Sequence, residues 1–208
     1  MFEQMNVETK ITLSSKELEL VCNTDWILTK HTIISKAYEL FGQQALFMQR
    51  IVAEGMFHLP VEISLHGPKI SKGENYSGLP YVILDYPRYF EKDKTFAIRT
   101  MFWWGNFFSI NLQLSGIYKE TLLPALLVNF YFLQGMGYSV CISGDPWKHH
   151  FGEDNYLSLQ KCTKEEFAII LNRESFVKIG KTLPLQQWNA APTFIKTSFL
   201  ELTTLLKH

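Results

Sequence analysis

Between Phe96 and Leu114 the chain alternates apolar and polar positions in two consecutive runs. Phe96, Ile98, Thr100, Phe102 and Trp104 fall on one side of a first strand, and Phe108, Ile110, Leu112 and Leu114 on one side of a second. Two strands with matching faces predict a hairpin. A two-residue turn at Gly105 and Asn106 would set Trp104 against Phe107 and Phe102 against Ser109, apolar against polar. A three-residue loop, Gly105 to Phe107, instead pairs Trp104 with Phe108 and Phe102 with Ile110, and is the expected register. The other face carries Arg99, Met101, Trp103, Ser109, Asn111 and Gln113. It is polar enough to meet solvent and aromatic enough to floor a pocket, so these six residues are the expected ligand-binding surface.

The same reading extends along the chain. Ser14-Ser-Lys-Glu17 has capping-box form and opens a short helix ending near Cys22. From Trp26 to Val52, Ile27, Ile34, Tyr38, Phe41, Ala45, Met48 and Val52 form an apolar stripe of a long helix, with Gly42 a candidate point of division and Gly55 a natural stop. Pro and Gly punctuate residues 59–80, leaving one short strand expected at Val61 to Leu65 and an exposed loop at Lys69 to Ser77. Strands are expected at Tyr81 to Tyr86, Thr95 to Trp104 and Phe108 to Leu114, followed by a helix from Tyr118 to Gln134 with Pro124 tolerated only in its first turn. Strands at Tyr138 to Ser143 and Tyr156 to Leu159 flank a turn-rich segment, Gly144 to Asn155. Thr163-Lys-Glu-Glu166 then caps a helix to about Asn172, and the last helix runs from Pro192 to near Leu206. Consecutive strands joined by short turns argue for an α+β fold: one domain over residues 1–208, with an antiparallel twisted sheet of about five to six strands and helices packed on it. The long N-terminal helix and the helix from Tyr118 to Gln134 are expected to cover one sheet face.

Composition narrows the function classes. With 208 residues, 47% hydrophobic and 14% aromatic, the chain can bury a core without disulfides or metal. Twenty basic residues balance twenty acidic ones with no basic run, which argues against nucleic-acid binding. Cys22, Cys141 and Cys162 are odd in number and widely spaced, which points to free thiols and a reducing cytoplasm. The N-terminus has no secretory-signal pattern. The apolar run Leu122 to Leu133, interrupted by Pro124 and Asn129, falls short of the roughly 20 residues that span a bilayer, so no membrane association is expected.

Candidate chemistry is sparse. Asp145, His149, His150, Glu153 and Asp154 are types that ligate divalent metals or move protons near neutral pH. Adjacent histidines diverge on a strand or a helix, however, and no metal-ligand spacing is present, so a surface loop is favoured and no metal is assigned. His58 and His66 are the residues that could converge with the later pair. Asp85 and Arg88 lie at a strand end and Arg99 on the mixed face, where arginine could clamp a carboxylate or phosphate bidentately, with Met101 and Trp103 as apolar walls beside Arg99; the alternative is an Asp/Arg pair bracing the turn at Pro87. Nucleophile-elbow and dinucleotide-binding patterns are absent. The expected function is therefore a cytoplasmic module that binds a small anionic ligand or a protein through the mixed face, with a homo-oligomer a further expectation. The alternative is a metal-dependent or general acid–base hydrolase-like enzyme built on His149, His150, Asp145 and Glu153. Neither the cofactor nor the reaction can be read from these residues.

Overall fold

The computed structural model describes residues 11–55, 57 and 59–206, so His58 lies outside the described residues. The described residues fall into two compact units, those up to Lys36 and those from Ala37 onward. The first contains helix α1 (Ser15–Cys22), closed at its start by the reciprocal Ser14/Glu17 capping box, and the beginning of α2 (Thr24–Ala53). No residue of α1 is buried. Gly42 leaves α2 undivided, and Gly55, at φ 67°, follows its end.

The second unit is built on an antiparallel sheet. Its strands are β1 (Lys69–Tyr76), β2 (Leu79–Phe90), β3 (Thr95–Trp103), β4 (Phe107–Ser115), β5 (Ser139–Cys141), β6 (Tyr156–Ser158) and β7 (Phe176–Pro184), in the spatial order β1-β2-β3-β4-β7-β5-β6. Seven strands among the described residues exceed the expected five to six, because two segments differ from the sequence reading. Lys69 to Ser77 is not a loop: its residues through Tyr76 form an edge strand, paired with β2. Phe176 to Pro184 forms an unanticipated strand that pairs with β4 along its whole length. Conversely, Val61 to Leu65 is not a strand: Val61–Ser64 is one turn of helix, α3. Pro60 precedes it with the fixed φ that suits a helix start.

The hairpin keeps the expected faces but shifts by one residue at each end. Phe102 faces Phe108 and Trp103 faces Phe107 across a three-residue loop, Trp104 to Asn106. The Asn106 amide donates to the Trp103 carbonyl at 3.1 Å, and Gly105, at φ +72°, takes the third position of that turn. Only glycine adopts this conformation without strain, so Gly105 centres the loop. Both registers preserve the parity of the strands, which is why Phe96, Ile98, Thr100 and Phe102 still share a face with Phe108, Ile110, Leu112 and Leu114.

Helices cover that face. Phe41 of α2 meets Phe108 edge to face, Tyr118 of α4 (Ile117–Val128) meets Phe96, and α7 (Ala191–Thr204) contributes Phe199 against Phe47 and Phe57. Trp188 packs on both Phe102 and Phe108. The single helix expected from Tyr118 to Gln134 is two, α4 and α5 (Phe130–Gly135), and Pro124 lies inside α4 rather than in its first turn. The break falls at Asn129, whose amide and side-chain nitrogen both donate to the Ala125 carbonyl. Helix α6 (Lys164–Arg173) begins at its Thr163/Glu166 capping box as expected. Among the described residues no helix is long and apolar enough to cross a membrane.

Candidate functional site

The mixed face is not open to solvent. Arg99, Met101, Trp103, Ser109, Asn111 and Gln113 are all buried, corrected from the exposed surface expected of them. Two elements cover them. The β1 side is closed by Tyr76, which packs edge-on against Trp103 and accepts the indole N–H at its carbonyl, 3.2 Å away. The rest lies beneath the segment from Ser143 to Asn155, which crosses the sheet as a strap. The Tyr76 hydroxyl accepts the backbone N–H groups of His149 at 2.6 Å and His150 at 3.2 Å, fixing the strap in place.

Beneath the strap the two sequence-derived candidates meet. Asp85 and Arg99 are cross-strand partners on β2 and β3. Arg99 Nε donates to Asp85 Oδ1 at 2.7 Å and its terminal nitrogen to Oδ2 at 2.9 Å, a bidentate pair. The pair does not brace a turn at Pro87, because β2 continues through Phe90 with a register shift between Asp85 and Arg88. The guanidinium lies 5.7 and 5.6 Å from the ring centres of Phe90 and Trp147, which pack on each other at 6.2 Å, and its remaining nitrogen lies 3.4 Å from His149 Nε2. The other ring nitrogen, Nδ1, is 3.3 Å from Lys178 Nζ.

Lys178 lies on β7 and is 1% exposed. It also donates to the Pro146 and Lys148 carbonyls of the strap at 3.1 and 2.6 Å, and lies 5.8 Å from the centre of the Tyr156 ring. A buried amine therefore ties strap to sheet. Burial, with the nearby Arg99 charge, lowers its pKa to about 8, despite the opposing influence of Cys141 and Asp145. Burial, followed by the charges of Lys178 and Arg99, drives the His149 pKa down to about 2, so the imidazole is neutral at physiological pH. Sequence reading missed Lys178 because β7 was missed. Its signal was present: Val177, Ile179 and Leu183 alternate with Lys178, Gly180 and Thr182.

The remaining candidates diverge. His150 pairs with Asp154, both oxygens at 3.0 Å from Nε2, and this hydrogen bond lowers the Asp154 pKa. Asp145 accepts the Trp147 amide at 2.8 Å within the strap. His66 is exposed, its Nδ1 2.8 Å from the Glu62 carbonyl. Glu153 is exposed and lines a different feature. No group of three or more histidine, cysteine, aspartate or glutamate side chains among the described residues is placed to hold a metal ion.

That feature is a groove of about 420 Å³ where the mixed face emerges at the β5, β6 and β7 side of the sheet. Its apolar wall is Phe151 stacked on Tyr156, rings 4.0 Å apart and 7° from parallel. The Tyr156 hydroxyl donates to Asn111 Oδ1 at 2.7 Å, and burial raises its pKa well above the usual phenol value. Opposite Asn111, position 180 must be glycine: a Cβ there would overlap the Asn111 amide and crowd the Ile110 carbonyl. Ser139 and Ser158 supply hydroxyls, and Glu153 and Lys161 supply opposite charges.

No protein-family model, no curated protein and no solved structure matches this chain.

Proposed function

We propose that this chain is a binding module for a small anionic molecule with a planar or apolar part, held in the groove beside the strap. The carrying observation is the Phe151/Tyr156 stack, anchored through Asn111 to the centre of the sheet. A rigid aromatic wall with hydroxyls nearby offers contact area at little conformational cost, and the groove's volume lies within the range of small-molecule sites. Lys161 is the groove's cation and the proposed partner of an anionic group. Arg99 serves this reading indirectly: it is engaged by Asp85 and holds the strap that carries Phe151.

The acid–base reading has less support. His149 is neutral at physiological pH and has both nitrogens turned to cationic side chains, while His150, Asp145 and Glu153 point elsewhere. We further propose a reducing compartment, in keeping with three free cysteines.

Thermal unfolding against a panel of aromatic and aliphatic carboxylates and phosphates tests the proposal, since a ligand that binds only the folded state raises the melting point. The expected result is a shift with an aromatic anion that is lost in Lys161→Glu and reduced in Phe151→Ala. A shift that survives both substitutions, or none across the panel, counts against the groove.

A further inference from the structure

A second cavity has a different chemistry. It lies between α3 and α4, has a volume of about 180 Å³, and is lined chiefly by Leu59, Phe96, Leu122 and Leu206, with Glu62, Tyr118 and Thr121 as its polar members. Phe96 is fully buried and meets Tyr118 edge to face at 5.9 Å, so two aromatic rings form a fixed wall. The Tyr118 hydroxyl donates to Glu62 Oε1 at 3.0 Å, which sets the carboxylate against the ring. Glu62 has no ion-pair partner among the described residues; Lys94, the cation whose field reaches it, stands 3.8 Å from Glu91 and 5.0 Å above the Tyr89 ring.

A carboxylate beside aromatic faces, at the edge of an otherwise apolar cavity, is the arrangement that recognises an organic cation. The charge meets the carboxylate and the negative face of the ring, while the hydrocarbon leaves water. An anion would meet repulsion from Glu62, and a neutral apolar molecule would gain nothing from its charge. Size sets the other limit: the space is comparable to the roughly 150 Å³ cavity that admits benzene. We propose that this cavity is a binding site for a small organic ammonium ion carrying one apolar group of about phenyl size, with Glu62 as the charged contact. The site is separate from the groove and does not depend on the reading given to it. In keeping with this role, Glu62's own backbone amide and then the Tyr118 hydroxyl hold its carboxyl below the usual range, so it is ionised near neutral pH.

The test is ligand-observed NMR titration of the full chain with benzylammonium, benzyl alcohol, benzoate and methylammonium. Benzylammonium should bind best, at least about tenfold tighter than each of the other three, because a charge-assisted hydrogen bond adds to apolar burial. Glu62→Gln should remove that advantage, bringing benzylammonium to the level of benzyl alcohol, while Leu122→Trp should fill the space and abolish binding of both. Equal binding of benzylammonium and methylammonium would show attraction to surface charge alone and overturn the proposal. So would a benzylammonium affinity unchanged in Glu62→Gln, or no binding of benzylammonium to the folded wild-type chain.

Discussion

His149 and Lys178 stand ring to amine, Nδ1 to Nζ at 3.3 Å, with the opposite ring nitrogen 3.4 Å from Arg99. A neutral imidazole has one N–H and one acceptor, and arginine can only donate. If Lys178 is an ammonium, its third proton goes to Nδ1, and the Nε2–H faces the guanidinium donor to donor. If Lys178 is an amine, its two protons serve the Pro146 and Lys148 carbonyls, and its lone pair accepts from Nδ1–H. Nε2 then accepts from Arg99, and every donor has an acceptor. The charge on Lys178 and the tautomer of His149 are therefore one variable.

Stability should depend on pH in two windows. The His149 pKa is lowered from 6.5 in the unfolded chain to about 2, so the unfolded state takes its proton first as pH falls. The contribution is whole above 6.5 and is lost toward 2, and the loss reaches about 2 kcal/mol by pH 5. The Lys178 pKa is lowered from 10.5 to about 8, so between those values the unfolded state again binds more protons and stability rises with pH, by up to about 3 kcal/mol. Urea denaturation from pH 5 to 10 should show both limbs. His149→Gln should flatten the acid one and Lys178→Met the alkaline one.

Breaking the Arg99 pair from one side should be costly. Both side chains are nearly inaccessible, at 10% and 6% exposure, so Asp85→Asn leaves a buried guanidinium without its counter-charge. A loss of about 3–5 kcal/mol is expected, against a much smaller one for the double replacement Asp85→Leu with Arg99→Met. A double-mutant cycle by chemical denaturation measures the difference; additive losses would show that the pair is not coupled.

Local patterns were legible where local physics decides. Both capping boxes start helices, and alternation correctly sorted the hairpin residues into two faces, because these depend on side chains within a few residues. What covers the second face was not legible. Arg99, Asn111 and Gln113 are polar and read as solvent-facing, yet the strap buries them through contacts from Tyr76, about 73 residues away from His149, and from Lys178. Strand β1 was missed because its charged and polar sequence, Lys69-Ile-Ser-Lys-Gly-Glu-Asn-Tyr76, suits an edge strand as well as a loop. With β7 also missed, the site lacked the lysine that ties it together.

The two faces of the hairpin carry their own test. Phe102 and Ile110 are both almost fully buried, so either replaced by Ala should cost about 2–5 kcal/mol. Gln113, which the alternation alone placed in solvent, is 3% exposed, and Gln113→Ala should cost on the order of 1 kcal/mol. Denaturant midpoints for the three variants decide it: a silent Gln113→Ala would mean that the strap contributes little to holding that face.

The thiols should separate by accessibility. Cys22 is exposed, whereas Cys141 and Cys162 are buried, and burial raises the pKa of both. A thiol reagent at neutral pH should modify one cysteine rapidly in the folded chain and three after denaturation without reductant. Fewer than three in the denatured count would reveal a disulfide and remove the argument for a reducing compartment.

The linked tautomer gives the sharpest test, because it predicts a change in proton position with no change in the imidazole's charge. Below about pH 8 the ammonium form of Lys178 donates to Nδ1 and leaves the proton of His149 on Nε2; above it, the amine accepts from Nδ1–H and frees Nε2 for Arg99. The two ring nitrogens have distinct ¹⁵N shifts in the two tautomers. A pH titration should therefore show them exchanging character with a midpoint near that of Lys178, far above any pH at which this imidazole becomes charged. Lys178→Met removes the amine and should abolish the exchange, leaving Nε2 as the acceptor from Arg99 at every pH. If the wild-type ring instead keeps one tautomer from pH 6 to 10, the coupling between His149 and Lys178 does not exist, and the strap is held by the two carbonyl bonds alone.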